Sequence, residues 1–224
     1  MYGKMNNKNV IVILAGGIGE RYDDIKPKQY MEIMGKEVLA YSINEMKKSN
    51  NADSILVVLN NDKNQMKRIR ETYNVEVIAG GCDRAHSFQN ALDYINKNMQ
   101  KCEKVLFHEA ARPLIQYCIV DRYFDLLDEY DYVESCQQIT DSLGSYIVRA
   151  PRREDYFLIQ APEAYKLSVL NQYYNCESPV YFAANQFPEF IKGYQYFGIE
   201  HNIKLTTPAD KLLIEYIMTA EEAI

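Results

Sequence analysis

Four times in its first 130 residues the chain passes from a short apolar run into a stretch of helical periodicity. Residues 10–14 precede 37–48, 54–59 precede 63–73, 75–78 precede 85–99, and 104–108 precede 119–130. Apolar runs of this length, each followed by a helix, suit strands buried in a parallel sheet. The pattern predicts an α/β fold, a doubly wound, mainly parallel Rossmann-like sheet. After Tyr132 the texture changes. Two β-leaning stretches, 133–139 and 155–160, flank the irregular basic segment IVRAPRRE, which predicts a protruding β-arm at about 138–158. Further patterns cover 194–199 and a last helix from about Pro208, with Thr207 as N-cap and Asp210 in the first turn. With no low-complexity linker, residues 1–224 read as one domain carrying an arm.

A formal net charge of -6 gives no global basic footprint, so nucleic acid is not expected as a partner. Cys82, Cys102, Cys118, Cys136 and Cys176 fall in no C-x-x-C or other ligand spacing and read as reduced packing residues of a cytoplasmic protein. The run 10–14 is far too short for a signal segment or a membrane span. The 19 tyrosines are scattered without a period and read as ordinary core and surface aromatics.

In an open α/β sheet, ligands bind beyond the carboxyl ends of the strands. After the first strand comes ILAGGIGERYDDIKPKQY, residues 13–30. Ala15, Gly16, Gly17 and Gly19 let backbone N–H groups approach phosphate oxygens, and Arg21 and Lys28 can neutralise a polyphosphate. The glycines alone would favour a tight structural turn; Arg21 and the triplet Pro27-Lys28-Gln29 reverse that in favour of the phosphate reading. A dinucleotide fingerprint would need glycine at Tyr22, and no Walker G-K-[ST] follows. After the third strand, AGGCDRAHS offers Gly80, Gly81 and a hydroxyl at Ser87, a set that a turn into a helix explains equally well. The fourth strand runs into HEAARP. Glu109 at its carboxyl end suits a Mg²⁺ that also touches substrate phosphates; the alternative is a Glu109–Arg112 ion pair. His86, His108 and His201 read as packing or hydrogen-bonding residues, because no second histidine shares their spacing. Lys204, near the start of the last helix, can face an anion there.

In this order the motifs resemble the cytidylyltransferases that make CDP-activated sugar alcohols, the methylerythritol-phosphate and ribitol-phosphate enzymes, along nearly the whole chain. The first loop is similar to their [AG]-G-x-G-x-R followed by P-K-Q, which implies that Arg21 and Lys28 hold the triphosphate and stabilise its transition state. AGGCDRAHS resembles G-G-x-x-R-x-x-S, implying that Gly81, Arg84 and Ser87 recognise the nucleotide. HEAARP resembles H-D-A-A-R-P, with Glu109 where the family has aspartate; it implies nucleotide contacts from Glu109 and Ala110, Mg²⁺ on Glu109, and an acceptor contact from Arg112. NIKLTTPAD resembles N-I-K-[IV]-T-x-P-x-D and makes Lys204 a phosphate ligand. On the acceptor side the family's T-P-Q becomes Ala161-Pro162-Glu163, and its T-D-[DEA] has no clear match around Glu177-Ser178-Pro179. On the arm, Thr140-Asp141-Ser142 resembles x-D-T, and Arg153 falls where a partner subunit's arginine is implied to grip the acceptor phosphate. Homodimerisation by arm exchange is implied with it.

The implied reaction is in-line attack of a phosphate monoester on the α-phosphorus of CTP, with pyrophosphate leaving. With its second pKa of about 6, the nucleophile is already largely ionised near pH 7, which accounts for the absence of a catalytic dyad. The first loop leans toward a ribitol 5-phosphate-like acceptor for a surface polymer. The alternatives are 2-C-methyl-D-erythritol 4-phosphate, in isoprenoid synthesis, and a nucleotide-binding homologue without turnover.

Overall fold

The computed structural model describes residues 8–17, 27–147 and 149–222. Its centre is a seven-stranded sheet built from β1 (Asn9–Ala15), β4 (Ser54–Leu59), β5 (Glu76–Ala79), β6 (Lys104–Glu109), β7 (Tyr132–Gln138), β8 (Phe157–Lys166) and β9 (Gly193–Tyr196). The order across the sheet is β5-β4-β1-β6-β8-β7-β9. The first four in that order are parallel, β8 is antiparallel to both neighbours, and β9 runs parallel to β7. A separate small hairpin pairs β2 (Glu32–Ile33) with β3 (Lys36–Glu37) through Met34 and Gly35, both at positive φ.

Helices cover both faces because successive strand residues point to opposite sides. Ile11 and Ile13 pack with α1 (Val38–Met46), α2 (Lys63–Tyr73) and α4 (Tyr117–Leu126). Val10 and Val12 pack with α3 (Arg84–Asn98) and α5 (Leu167–Tyr173) on the other face. That double burial is why β1 reads as an unbroken apolar run. Helix starts follow side-chain caps: Asp62 accepts from the N–H groups of Asn64 and Gln65 at 2.9 and 3.1 Å, and Asp83 accepts from that of His86 at 2.8 Å. For α6 (Pro208–Glu222), the first-turn Asp210 carboxylate accepts from the N–H groups of Thr206 and Thr207 and from the Thr207 hydroxyl, fixing the start of the helix just after Thr207.

The predicted fold stands, with differences at its margins. β8 continues through Ala161-Pro162-Glu163 to Lys166 instead of stopping at Gln160, because its far half fills the place beside β6. α4 starts at Tyr117 and ends at Leu126, four residues short of Tyr130. The arm is the connection between β7 and β8, closed at its base by the Gln138–Phe157 pair. Beyond that pair its described residues form no strand, and Tyr146 and Ile147 are fully exposed. Among the described residues no helix is long and apolar enough to cross a membrane.

Candidate active site

The chain moves outward from β1 to β4 and β5 on one side, then crosses to β6 on the other. This reversal opens a crevice at the carboxyl ends of β1 and β6, where Leu14 pairs with Glu109. A cavity of about 720 Å³ lies there. Ala15, Gly16 and Gly17 line it from the end of β1, and Lys28 from a short 3₁₀ turn. Gly81, Arg84 and Ser87 line it from the loop into α3, and Glu109, Ala110 and Lys204 complete the wall. Nine of the residues expected from sequence to bind nucleotide thus share one cavity with Lys28. Arg21 and Gly19 lie outside the described residues.

The two glycine pairs differ in purpose. A Cβ on Gly17 would meet nothing within 4 Å, so its backbone is open to a ligand. A Cβ on Gly81 would stand 2.2 Å from the His86 Cβ, and one on Gly80 2.7 Å from the Ser87 Oγ. Gly80 and Gly81 are therefore demanded by close packing on α3. The Gly81 N–H donates to the Ser87 hydroxyl at 3.1 Å, which closes the loop and leaves the hydroxyl proton available.

Glu109 organises the floor. Its carboxylate meets Lys204 Nζ at 2.9 Å, Arg112 Nε at 3.2 Å and Arg84 Nε at 3.5 Å. Burial works to raise its pKa, but Lys204, Arg112 and Arg84 outweigh burial and hold it at about 2. Arg112 is buried behind Glu109, donates to the Asn202 carbonyl at 2.7 Å, and does not line the cavity. Here the ion pair that sequence offered as an alternative does form, as part of a buried network. Arg84 also donates to Glu163, which is wholly buried and accepts from the Tyr165 hydroxyl. Burial works against the Arg84 charge, but Glu163 and Glu109 push its pKa above the ordinary arginine value. The rings of Tyr181 and Phe182 each stand 5.2 Å from its guanidinium carbon.

Glu163 and Tyr181 are the residues that sequence reasoning placed elsewhere or passed over. Glu163 was expected on the acceptor side, yet its side chain steadies Arg84 in the nucleotide loop, a contact across 79 residues of sequence. Tyr181 was one tyrosine among many. Gln29 Nε2 and Asn60 Oδ1 are also buried on residues of the cavity wall without hydrogen-bond partners among the described residues. Left unpaired, such an atom costs about 1–3 kcal/mol, so each is a polar group that a ligand in the cavity can satisfy. His108 is fully buried, with Nε2 3.2 Å from the Arg112 carbonyl; burial and Arg112 lower its pKa to about 3, so it is neutral and packs as expected.

Besides Arg112, three residues expected to contact the acceptor sit apart from the cavity. Asp141 and Ser142 are exposed on the arm. Arg153 donates to the Thr140 carbonyl and to Glu154, and lines a second cavity with Tyr156, Phe157 and Phe197.

The family described as 2-C-methyl-D-erythritol 4-phosphate cytidylyltransferase, IspD, matches residues 9–220. A Clostridium botulinum 2-C-methyl-D-erythritol 4-phosphate cytidylyltransferase is 28% identical, with 95% of this chain and 98% of that protein covered. The bifunctional ribulose 5-phosphate reductase/CDP-ribitol pyrophosphorylase of Haemophilus influenzae is also 28% identical, over 93% of this chain and 48% of its own length. Among solved structures, 4-diphosphocytidyl-2C-methyl-D-erythritol synthase from Anaerococcus prevotii superposes with a TM-score of 0.81 at 23% identity, covering 96% of this chain and 97% of that one; the likeness shows a common fold. Matched along nearly all its length and carrying the family's motifs around one crevice, the chain belongs to the IspD family and is a CTP-dependent cytidylyltransferase.

Proposed function

We propose that this enzyme transfers the cytidylyl group of CTP to 2-C-methyl-D-erythritol 4-phosphate and releases pyrophosphate. The reading is carried by the family match over residues 9–220, whose description names that acceptor. The Clostridium botulinum relative supports it. The first-loop lean toward ribitol 5-phosphate gives way on this ground. Ribitol 5-phosphate stays as the second reading because the Haemophilus influenzae relative, named for CDP-ribitol, is equally similar in identity.

Chemistry asks little beyond placement and charge. The acceptor phosphate is ionised near pH 7, so no general base is required. Lys28 and Lys204 on the cavity wall, with Arg21 from the first loop, neutralise the triphosphate and stabilise the charge that develops as pyrophosphate leaves. Gly17 offers open backbone to the phosphates, with Gly16 packed beside it against the end of β4, while Arg84 and Ser87 hold the nucleoside end. Glu109 is ionised on the cavity wall and is the oxygen donor that Mg²⁺ prefers, so it fits the divalent ion that the family implies. Mg²⁺ bound there with the triphosphate would neutralise phosphate charge. Lys204, 2.9 Å from Glu109 Oε2, keeps a further positive charge beside the place the phosphates would occupy. Arg153, remote from this cavity in its own chain, would reach the acceptor of a second subunit through the arm, making the enzyme a homodimer with composite sites. The reading puts the enzyme in the cytoplasm, with its five free cysteines reduced.

The test is pyrophosphate release by the purified protein with CTP and Mg²⁺, with the two acceptors in parallel. We expect kcat/KM for 2-C-methyl-D-erythritol 4-phosphate to exceed that for ribitol 5-phosphate by at least about tenfold, a difference of about 1.4 kcal/mol. The reverse preference selects the second reading. CTP binding with no release for any phosphate acceptor would mark a homologue that has lost turnover.

A further inference from the structure

A second cluster of chemistry-bearing side chains lies at the start of α3, where sequence spacing gave no metal signature. His86, Cys176 and Glu177 bring an imidazole, a thiol and a carboxylate within 4.8 Å of one another. The three come from two chain segments, the first turn of α3 and the stretch after α5, ninety residues apart in sequence. His86 Nε2 stands 3.1 Å from Glu177 Oε1, and Cys176 Sγ stands 3.9 Å from the same oxygen. In a tetrahedral zinc site with bonds of about 2.0–2.3 Å, ligand atoms sit about 3.3–3.8 Å apart along each edge. The observed spacings bracket that edge.

The other ring nitrogen is already assigned. His86 Nδ1 lies 2.9 Å from Asp83 Oδ1 and Nε2 lies 3.1 Å from Glu177 Oε1, and these two carboxylates raise the pKa of the ring, so a metal at Nε2 takes the place of the proton shared with Glu177 while the Nδ1 N–H stays on Asp83. A carboxylate holding the far nitrogen is the usual support of a metal-binding histidine, fixing ring orientation and raising ligand basicity. All three donors are partly or fully open to solvent, which gives an ion a path of entry. Thiolate and imidazole together favour zinc over magnesium, so this site would not compete for the ion that serves the triphosphate.

We propose that His86, Cys176 and Glu177 bind a zinc ion, with Asp83 as the positioning residue and the fourth place left to water. Binding takes the Cys176 sulfur as thiolate and releases its proton to solvent. The ion ties the stretch after α5 to the nucleotide loop. That stretch continues to Tyr181 and Phe182, which flank Arg84, so the metal fastens one wall of the catalytic cavity.

The test is a titration of the intact, reduced protein with Co²⁺ as a spectroscopic stand-in, followed by displacement with Zn²⁺. We expect one equivalent of Co²⁺ to produce a sulfur-to-metal charge-transfer band in the near ultraviolet that Zn²⁺ abolishes. The band should vanish in Cys176→Ser and persist in Cys82→Ser. Circular dichroism of both variants should match the parent, since both cysteines are outside the core. Asp83→Asn keeps a good helix cap and should retain the band while weakening affinity by about 10–100-fold. Absence of any sulfur-to-metal band would overturn the proposal. So would a band lost in Cys82→Ser and kept in Cys176→Ser, or undiminished affinity in Asp83→Asn.

Discussion

Replacing Glu109 by glutamine keeps the shape of the side chain and removes one charge from beside three cations. The wild-type carboxyl is held at about 2 against an ordinary value of 4.5. That difference corresponds to about 3 kcal/mol of stability at neutral pH. Little discount for solvent is needed, because the Glu109 side chain is only 14% exposed. The sign follows from the depressed value: the contribution is fully present above pH 4.5 and is lost as pH falls toward 2. At pH 3 about 1.4 kcal/mol of it remains. Urea unfolding of wild type and Glu109→Gln at both pH values reads this directly. We expect the gap between the two proteins to shrink by about half from pH 7 to pH 3. An equal gap at both pH values would show that Glu109 stabilises by packing alone, and no gap at pH 7 would refute the charge network altogether. The same variant should also require more Mg²⁺ for half-maximal turnover.

Three further perturbations address the cavity and the arm. Lys28→Ala and Arg21→Ala should each lower kcat by about tenfold to a thousandfold with the fold intact, as steady-state pyrophosphate release and circular dichroism will show; unchanged turnover in both would remove them from the triphosphate site. Gly81→Ala should destabilise the fold, seen as a lower thermal midpoint, whereas Gly17→Ala should leave the midpoint nearly unchanged and weaken CTP binding in calorimetry. Arg153→Ala should raise KM for the acceptor while leaving CTP binding nearly untouched. Mixing it with Lys28→Ala should recover activity if arms are exchanged, and no recovery after confirmed subunit exchange rules the composite site out.

The parallel half of the sheet was legible because β1, β4 and β6 are largely buried on both faces and so carry their own apolar signatures, and β5 follows them at the edge with the same strand-then-helix alternation. β7 and β8 were seen only as β-leaning stretches. Their antiparallel partnership depends on register with β6, which no local pattern encodes. The β2–β3 hairpin escaped notice because its turn is Met34-Gly35, not one of the asparagine or aspartate pairs that announce such turns. In the site, glycine loops and strand-end charges could be read from spacing to the nearest strand. Glu163 could not: its meaning comes from a partner 79 residues away, and in one dimension it is only an acid beside a proline. The grouping of His86 with Cys176 was invisible for the same reason.

β8 also sets a rule of parity for the whole edge of the molecule. Opposite β7, Glu134 pairs with Glu163 and the next residue, Ser135, pairs with Gln160, so Ala161 and Pro162 are two extra residues on β8 with no counterparts. An interruption of two bends a strand without exchanging its faces, since side chains alternate with a period of two. Glu163 therefore keeps its bond to Arg84 while Phe157, about 20 Å away at extended spacing, keeps the orientation from which the arm departs. Deleting Pro162 alone would turn one of these over: either the arm would leave from the opposite face, or the acid would abandon its arginine. Removing both residues would preserve the two orientations and shorten the distance between them. The arm and the nucleotide loop are thus linked by counting along β8, where a change of two residues keeps both orientations and a change of one does not.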